Sequence, residues 1–473
     1  MVALSKIAKP SISSYQNFSR FATFRESSHQ LRSRQRPLNS RHAMSSQPSY
    51  LIIGAGVFGV STAYHLIKRY PDASVQLVDR TPYPCHLAAS WDWNKVVRAD
   101  YGDIFYMEKA LEAIQLWRED SLFKPFYHQS GIIKINNSNL GRDTLENYEK
   151  LGVKVNAKIV SPDSFKEEYG SFFDHTDFLN ATDVFVNKDS GWAEAAKALT
   201  AYTDAAIDSG VKYTATEVDA LTFGADGRCT GVLTKDGTNI TADRIVLATG
   251  AGTAKLLADS APGRKELQVD GRLMAGAVIT GIVNLDQKDG QRYTEIPVTV
   301  HGVPPTRGEV MPLTAPLSEK EPYTVKFCRD EAYKNTIKHE ASGQEFSSPP
   351  DEPDQAERQP NEGLKKRLDL VKDGILGEPG KSVRFDEYRV CWDAVTPTQD
   401  FIITPQPHFQ GLYIATGGSF HGWKFMPTIG RYVVEMLAGT LDPSLAKRWA
   451  WDRENNGGGA HSHLLPKIEI RDL

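Results

Sequence analysis

The sequence is short of cysteine, of net charge and of long apolar runs. Its four cysteines (Cys85, Cys229, Cys328, Cys391) lie far apart and form no CxxC pair. That spacing argues against a zinc site and fits free thiols in a reducing compartment. A formal net charge of -4 gives no reason to invoke nucleic acid or an anionic membrane. No apolar stretch is long enough to span a bilayer, and no internal repeat is visible. Acids are nearly missing before Ser49, where Glu26 alone stands against Lys6, Lys9, Arg20, Arg25, Arg32, Arg34, Arg36 and Arg41. Such a composition is that of a transit segment. A disordered basic tail, or an upstream extension with initiation at Met44, reads as well, and residues 1–48 are set aside from fold reasoning. The remaining chain is long enough for a sizeable core and, as a soft prior, two or three domains.

What is there is organised around Tyr50–Asp79. Leu51, Ile52 and Ile53 read as a buried strand that breaks into Gly54-Ala55-Gly56-Val57-Phe58-Gly59. A helical stretch follows (Ser61–Arg69), then a second apolar strand (Val75–Val78) ending on Asp79. This is a βαβ unit with a GxGxxG turn. Gly54 permits the turn, Gly56 lets backbone approach a pyrophosphate, and Gly59 lets helix and strand pack closely. The helix N-terminus offers N–H groups and its positive dipole end to phosphates. Asp79 stands where an acid would hydrogen-bond an adenosine ribose. The alternative is a purely structural glycine turn, and the motif does not choose FAD over NAD.

Pro82–Ser90 is a loop rich in small residues, which would allow close approach to a cofactor. In the run Trp91-Asp92-Trp93-Asn94-Lys95-Val96-Val97-Arg98, Lys95 and Arg98 stand three apart. On a helical turn they would point the same way and could hold an anion; the alternative is a solvated surface turn. Helices are expected over Glu108–Glu119, Ser161–Tyr169, Ala193–Ala206 and Gly363–Leu376. Strands are expected at Phe126–Asn136 (bent at Gly131), Val184–Trp192, Lys212–Thr216, Ala220–Phe223, Gly276–Leu285, Glu295–His301, Tyr323–Phe327, Glu387–Trp392 and Leu412–Ala415. Ala242–Gly252 reads as a buried parallel strand ending in small residues, fit to pack against a nucleotide. Ala341–Gln359, rich in Pro, Glu and Ser, reads as a mobile surface loop without chemistry, and 455–473 as a flexible tail.

Together these motifs resemble the flavin-dependent amine oxidases of the monomeric sarcosine oxidase group, which includes sarcosine, pipecolate, saccharopine and fructosyl amino acid oxidases. The resemblance runs from about Tyr50 to Arg453. It implies an α/β fold in which an FAD-binding doubly wound, Rossmann-like domain (49–125, 185–262 and 386–454) is interleaved with a mixed-sheet α+β substrate domain (126–184 and 263–385). It places the turn Gly54, Ala55, Gly56, Val57, Phe58 and Gly59, with Asp79 and Arg80, on the ADP half of FAD. Ser90, Val218, Thr249 and Gly250 would also line the cofactor. DWNKVVRADYG resembles the segment beside the reactive flavin face, with Lys95 near the flavin and Arg98 on a substrate carboxylate. Thr324-Val325-Lys326 resembles the strand whose lysine faces flavin N5 and activates dioxygen, although the residues alone would read as a strand-end surface lysine. Cys391-Trp392-Asp393-Ala394-Val395-Thr396-Pro397 resembles the segment with a covalent thioether to the flavin; a lone strand-end cysteine would otherwise be a buried small hydrophobe. Gly417-Gly418-Ser419-Phe420-His421-Gly422-Trp423-Lys424 resembles the closing motif. There Gly418, Ser419 and Phe420 pass the flavin, Lys424 binds both cofactor and carboxylate, and His421 orients the substrate.

Asp330, four residues after the dioxygen lysine, departs from sarcosine oxidases and fits fructosyl amino acid oxidases, as a further substrate-binding group. His421 departs from the arginine frequent in the latter. AASWDWNKVVRADYGD and AKRWAWDR resemble fungal saccharopine oxidase-like proteins. The expected enzyme takes a small-molecule secondary-amine amino acid and dioxygen, works as a monomer, and yields an imine and hydrogen peroxide. Three alternatives stand beside it: a biosynthetic amine oxidase whose imine is trapped by cyclisation, with Trp91 and Trp93 at the pocket mouth; a nicotinamide-dependent dehydrogenase; and a non-catalytic flavoprotein. The basic N-terminus favours mitochondria over a cytoplasmic or peroxisomal location, and Arg471-Asp472-Leu473 matches the peroxisomal Ser-Lys-Leu type poorly.

Overall fold

A computed structural model describes residues 47–170, 172–286, 290, 293, 296–313, 322–352, 357–454 and 462–473. The basic segment is thus outside the described residues up to position 46, as is 455–461 of the expected tail.

Tyr50–Ile53 has both faces buried, as its unbroken apolar run requires. Tyr50 and Ile52 pack into one core cluster, while Leu51 and Ile53 pack into another on the opposite face. This strand pairs in parallel with Val75–Asp79 on one side and Arg244–Leu247 on the other. Among the described residues these belong to a six-stranded sheet, completed by Lys212–Ala215 at one edge and by Leu412–Thr416 and Ile402–Pro405 at the other. Val57–Arg69, Ala195–Asp208 and Ile429–Leu437 are helices covering one face. Val57–Arg69 and Ile429–Leu437 approach closely at Gly430, where a Cβ would lie 2.1 Å from the carbonyl carbon of Ser61. The Ser61 hydroxyl uses that proximity, donating to Met426 O and accepting from Gly430 N, each at 2.8 Å.

Among the described residues a ten-stranded sheet carries the second half of the architecture. Met274–Leu285 pairs antiparallel with both Tyr323–Arg329 and Glu387–Val395. Gly308–Pro312 continues the sheet beyond Tyr323–Arg329, and Ile132–Asn136 and Asp183–Asn187 lie further along it. Glu387–Val395, grouped by sequence with the nucleotide part (386–454), is therefore hydrogen-bonded into the large sheet. Glu362–Leu376, capped by Asn361 Oδ1, packs its apolar stripe on this sheet. The expected α/β architecture is present: a sheet that is parallel except for the antiparallel edge strand Ile402–Pro405 stands with a mixed sheet.

Three sequence expectations are corrected here. Lys95–Val97 is a strand paired with Gly191–Ala193, so Lys95 and Arg98 do not share a helical face. Ala341–Gln359 is not a surface loop throughout: Glu345–Ser347 is a strand, Phe346, Ser347 and Ser348 are buried, and Glu357 is buried against Arg389. The polar composition misled because Ser347 Oγ donates to Ala275 O at 2.6 Å and Glu357 pairs with Arg389, partners distant in the chain. Lastly, residues 462–473 are not a loose tail. Ile468–Glu469 pairs with Tyr333–Lys334, Leu464 is buried, and Glu469 accepts from Thr336 N and Oγ1.

Candidate active site

The glycine turn is shaped by backbone contacts. Gly54 has φ +101°, and a Cβ there would lie 2.4 Å from Ala248 O. A Cβ on Gly59 would lie 1.8 Å from Gly54 O, so helix and turn touch directly. Asp79 closes the turn from the next strand: Ala55 N–H donates to Oδ2 at 2.6 Å and Arg80 N–H to Oδ1 at 2.7 Å. Ser90 Oγ accepts from Val57 N–H at 2.8 Å, capping a helix whose own N-cap, Gly56, has no side chain to do so. Ser90 thus joins the Pro82–Ser90 loop to the helix start.

From this turn a cavity of about 730 Å³ runs between the two sheets. Its wall includes Gly54, Gly56, Val57, Phe58, Asp79, Arg80, Ser90, Val218, Thr249 and Gly250 at the nucleotide end. Lys95, Arg98, Lys326, Asp330, Cys391, Gly418, Phe420, His421 and Lys424 line the remainder. Of the sequence candidates, Ala55, Gly59 and Ser419 lie behind the lining. Ser419 and Phe420 adopt φ of +48° and +61°, conformations uncommon for residues with a Cβ. Phe420 N–H is held by Asp393 Oδ2 at 2.6 Å and Ser419 Oγ accepts from Thr396 N–H at 3.2 Å, which fixes the turn against the cavity. Trp91 and Trp93 pack edge to face at 5.3 Å and are not among the cavity-lining residues, which corrects their expected place at the mouth.

Cations converge on this wall from separate elements. Lys326, 2% exposed, lies on Tyr323–Arg329 and reaches across to Asp92 Oδ2 at 2.7 Å and Asn94 O at 2.9 Å. Lys95 Nζ meets the same Oδ2 at 2.8 Å. Burial works to raise the Asp92 carboxyl, but Lys326, Lys95 and Arg389 outweigh it and hold the group ionised, well below the usual range. Burial works to lower Lys95, and the Asp92 charge overcomes it, pushing the lysine up to about 12. Arg98 donates to Asp100 O and lies over the Tyr101 ring. Lys424 donates to His421 O at 2.7 Å and to the Tyr101 hydroxyl at 3.0 Å. Burial, then the Arg98 charge, drives Lys424 well below the ordinary lysine range.

His421 completes a directed chain. Its Nε2 lies 2.8 Å from Gln399 O, a carbonyl that can only accept, so Nε2 carries the proton. Nδ1 then accepts from the Tyr101 hydroxyl at 3.2 Å, and that hydroxyl accepts from Lys424. Burial and the neighbouring Lys424 charge lower His421 to about 3, which keeps it neutral. Asp330 pairs with His463 Nε2 at 2.9 Å, a contact from the C-terminal segment that sequence reading had left loose.

Sequence reading missed Asp92, Asn94, Glu309 and Glu357, all on the lining. Asp92 and Asn94 were inside a quoted motif, and an acid three residues before Lys95 was the available signal. Glu309 carried none: it enters the cavity only because Gly308–Pro312 pairs with Tyr323–Arg329. Burial, then the Asp330 charge, raises its carboxyl.

The residues fit a large polar ligand. Among the described residues the buried atoms Asn94 Oδ1, Trp392 Nε1 and Thr416 Oγ1, all of lining residues, have no hydrogen-bond partner. Unpaired buried polar atoms are costly, and a flavin dinucleotide carries donors and acceptors to satisfy them. The absence of side chains at Gly54 and Gly56 leaves the approach a pyrophosphate needs.

A glycine turn opening onto a cavity walled by buried cations defines a dinucleotide-dependent oxidoreductase. The chain belongs to the DAO family of FAD-dependent oxidoreductases, whose family model matches residues 49–436. It is 26% identical over 433 residues to the L-saccharopine oxidase of Schizosaccharomyces pombe, covering 86% of this chain and 93% of that protein. It is 24% identical to the amino acid oxidase imqH of Aspergillus flavus, covering 89% of this chain and 100% of that one. Among solved structures it is similar to a thermally stable mutant of fructosyl peptide oxidase (TM-score 0.77, 25% identity, 90% of this chain and 98% of that one). It is also similar to the fructosamine oxidase Amadoriase II of Aspergillus fumigatus in complex with FSA (TM-score 0.76, 25% identity, 91% of this chain and 97% of that one). The cofactor is therefore FAD, as the motif resemblance implied, and the nicotinamide alternative is set aside.

Proposed function

We propose that this FAD-dependent oxidase acts on the C–N bond of a secondary-amine amino acid of the saccharopine, pipecolate, N-methyl or fructosyl type. The observation that carries the reading is the set of cations, buried Lys326 and Lys424 and partly buried Arg98, lining the cavity that begins at the glycine turn. When bound, FAD supplies two-electron chemistry, taking electrons from the amine and passing them to dioxygen with release of hydrogen peroxide. Arg98 and Lys424 hold the substrate carboxylate, which sets the amine's orientation. The carboxylate also relieves the mutual repulsion of these cations, so substrate and site stabilise each other. His421 is a neutral positioning residue that fixes Tyr101 and, through it, Lys424. Lys326 is a fixed positive charge beside the charge that develops on dioxygen. Cys391, buried and free, carries the covalent link to the cofactor. Cyclisation of the imine loses its motivation, since Trp91 and Trp93 are not on the lining.

The test is the visible spectrum of purified protein before and after acid precipitation, followed by an amine panel with peroxide detection. Yellow colour retained in the pellet supports covalent FAD at Cys391, and a yellow supernatant removes that link alone. A protein that neither retains nor rebinds FAD, or produces peroxide with no secondary amine, overturns the reading.

A further inference from the structure

Asp92 has no place in the chemistry proposed above, yet it joins two of the cavity's lysines, Lys95 and Lys326. It is 1% exposed and its carboxylate is fully used. Oδ1 accepts from Trp93 N–H at 2.8 Å, and Oδ2 takes both ammonium groups, Lys326 at 2.7 Å and Lys95 at 2.8 Å. Its carbonyl is held as well, accepting from Ala196 N–H at 3.0 Å, which ties the segment to the start of the helix Ala195–Asp208. Among the described residues no other carboxylate is in ion-pair contact with either lysine.

Two consequences follow from one carboxylate serving two ammoniums. The trio carries a net single positive charge, so the wall remains cationic while neither lysine is buried without a counter-ion. The position of Lys326 is also dictated from outside its own strand. Of its three N–H donors, one goes to Asp92 and one to Asn94 O, leaving one for the cavity that it lines. The lysines are unequal in what they lose without Asp92. The Lys95 side chain is 21% exposed and retains water, whereas that of Lys326 is 3% exposed and has no such recourse.

We propose that Asp92 is a positioning residue that fixes the place of the Lys326 ammonium group, and through that lysine the rate at which the reduced enzyme reacts with dioxygen. The inference rests on the role given to Lys326 under the proposed function, and the experiment separates the two. Reduced holoenzyme is mixed rapidly with dioxygen, and return of the flavin absorbance is followed in wild type, Asp92→Asn, Lys326→Met and the double variant. Lys326→Met slows the reaction about 100-fold, the scale of removing one preorganised charge-stabilising group. Asp92→Asn slows it at least tenfold. The double variant is no slower than Lys326→Met alone, because a residue acting through Lys326 has nothing left to act on. A second readout needs no turnover: thermal melting of the holoenzyme. Asp92→Asn lowers the midpoint by several degrees, and adding Lys326→Met recovers at least half of that loss, since the stranded ammonium is gone.

Wild-type speed in Asp92→Asn, with Lys326→Met slow, overturns the role of Asp92 and leaves that of Lys326 intact. Factors that multiply in the double variant also overturn it, because they show Asp92 acting by another route. Wild-type speed in Lys326→Met removes both assignments.

Discussion

At the nucleotide end, the cavity wall is backbone; at the Lys326 end, it is buried charge. The glycine turn holds its shape through contacts within about thirty residues of chain, Gly59 on Gly54 and Ala55 on Asp79, with Ala248 from the neighbouring strand behind it. The charged end is assembled from Asp92 and Lys95, Lys326, Cys391 and Lys424, which lie on separate elements. The first needs small residues at fixed positions and tolerates few alternatives. The second needs charge balance, and its groups shift one another's protonation strongly. One end is shaped by backbone contacts, while the other is tuned by the charges of its neighbours.

That contrast can be broken at either end. Gly59→Ala puts a methyl group into Gly54 O, costs about 3 kcal/mol in overpacking, and abolishes FAD retention. The check is flavin content per protein together with the melting midpoint; a Gly59→Ala protein that stays yellow would show that the turn is softer than its contacts imply. Lys326→Met comes next, with the dioxygen reaction about 100-fold slower and substrate reduction of the flavin little changed. Comparable losses in both half-reactions would move Lys326 from dioxygen to substrate.

Arg98→Met is smaller. Loss of one charge-assisted hydrogen bond of about 2 kcal/mol raises KM for amino acid substrates roughly thirtyfold. An amine lacking the carboxylate should show no such penalty, and an equal loss with both substrates would take Arg98 off the carboxylate. The effect of pH sharpens the same point. Lys424 binds the carboxylate only when protonated, and its free-enzyme pKa lies well below that of an ordinary lysine. Affinity for a carboxylate inhibitor therefore falls as pH rises through that depressed value, by up to about tenfold per pH unit. Binding takes up a proton, because the carboxylate raises the lysine again. Inhibition independent of pH from 6 to about 10 would sink this account. The smallest effect is expected of Cys391→Ala, which should make the flavin extractable by acid while leaving the stability of the FAD-loaded protein within about 1 kcal/mol of wild type.

Much of the fold was legible in the chain because its signals are local. The buried run Leu51–Ile53, the glycine turn and Asp79 announced a βαβ unit, and the helix over Glu362–Leu376 was visible in its apolar period. The N-terminal ends of elements were read less well, as with Ile104–Glu119, whose first turn lies before the expected start at Glu108. Lys95 and Arg98 were read on helical spacing, but pairing with Gly191–Ala193 makes the segment a strand, and no local pattern encodes that pairing. Phe346 and Glu357 sit in a stretch whose composition says loop. Their burial depends on a partner, Arg389 for Glu357, that lies elsewhere in the chain.

The sequence by itself determined a βαβ unit with a glycine turn at Gly54–Gly59 and the family that the ordered motifs resemble. Those properties depend on backbone conformation and on residues close together in the chain. Tertiary structure alone decided that Lys95 and Lys326 share one carboxylate, that His421 is a neutral link to Tyr101 and Lys424, and that Glu309, Glu357 and Leu464 help to form the cavity wall. The reason is physical: the ionisation of a buried group is set by its nearest charges and its loss of water, and both are fixed by which distant strands pack together.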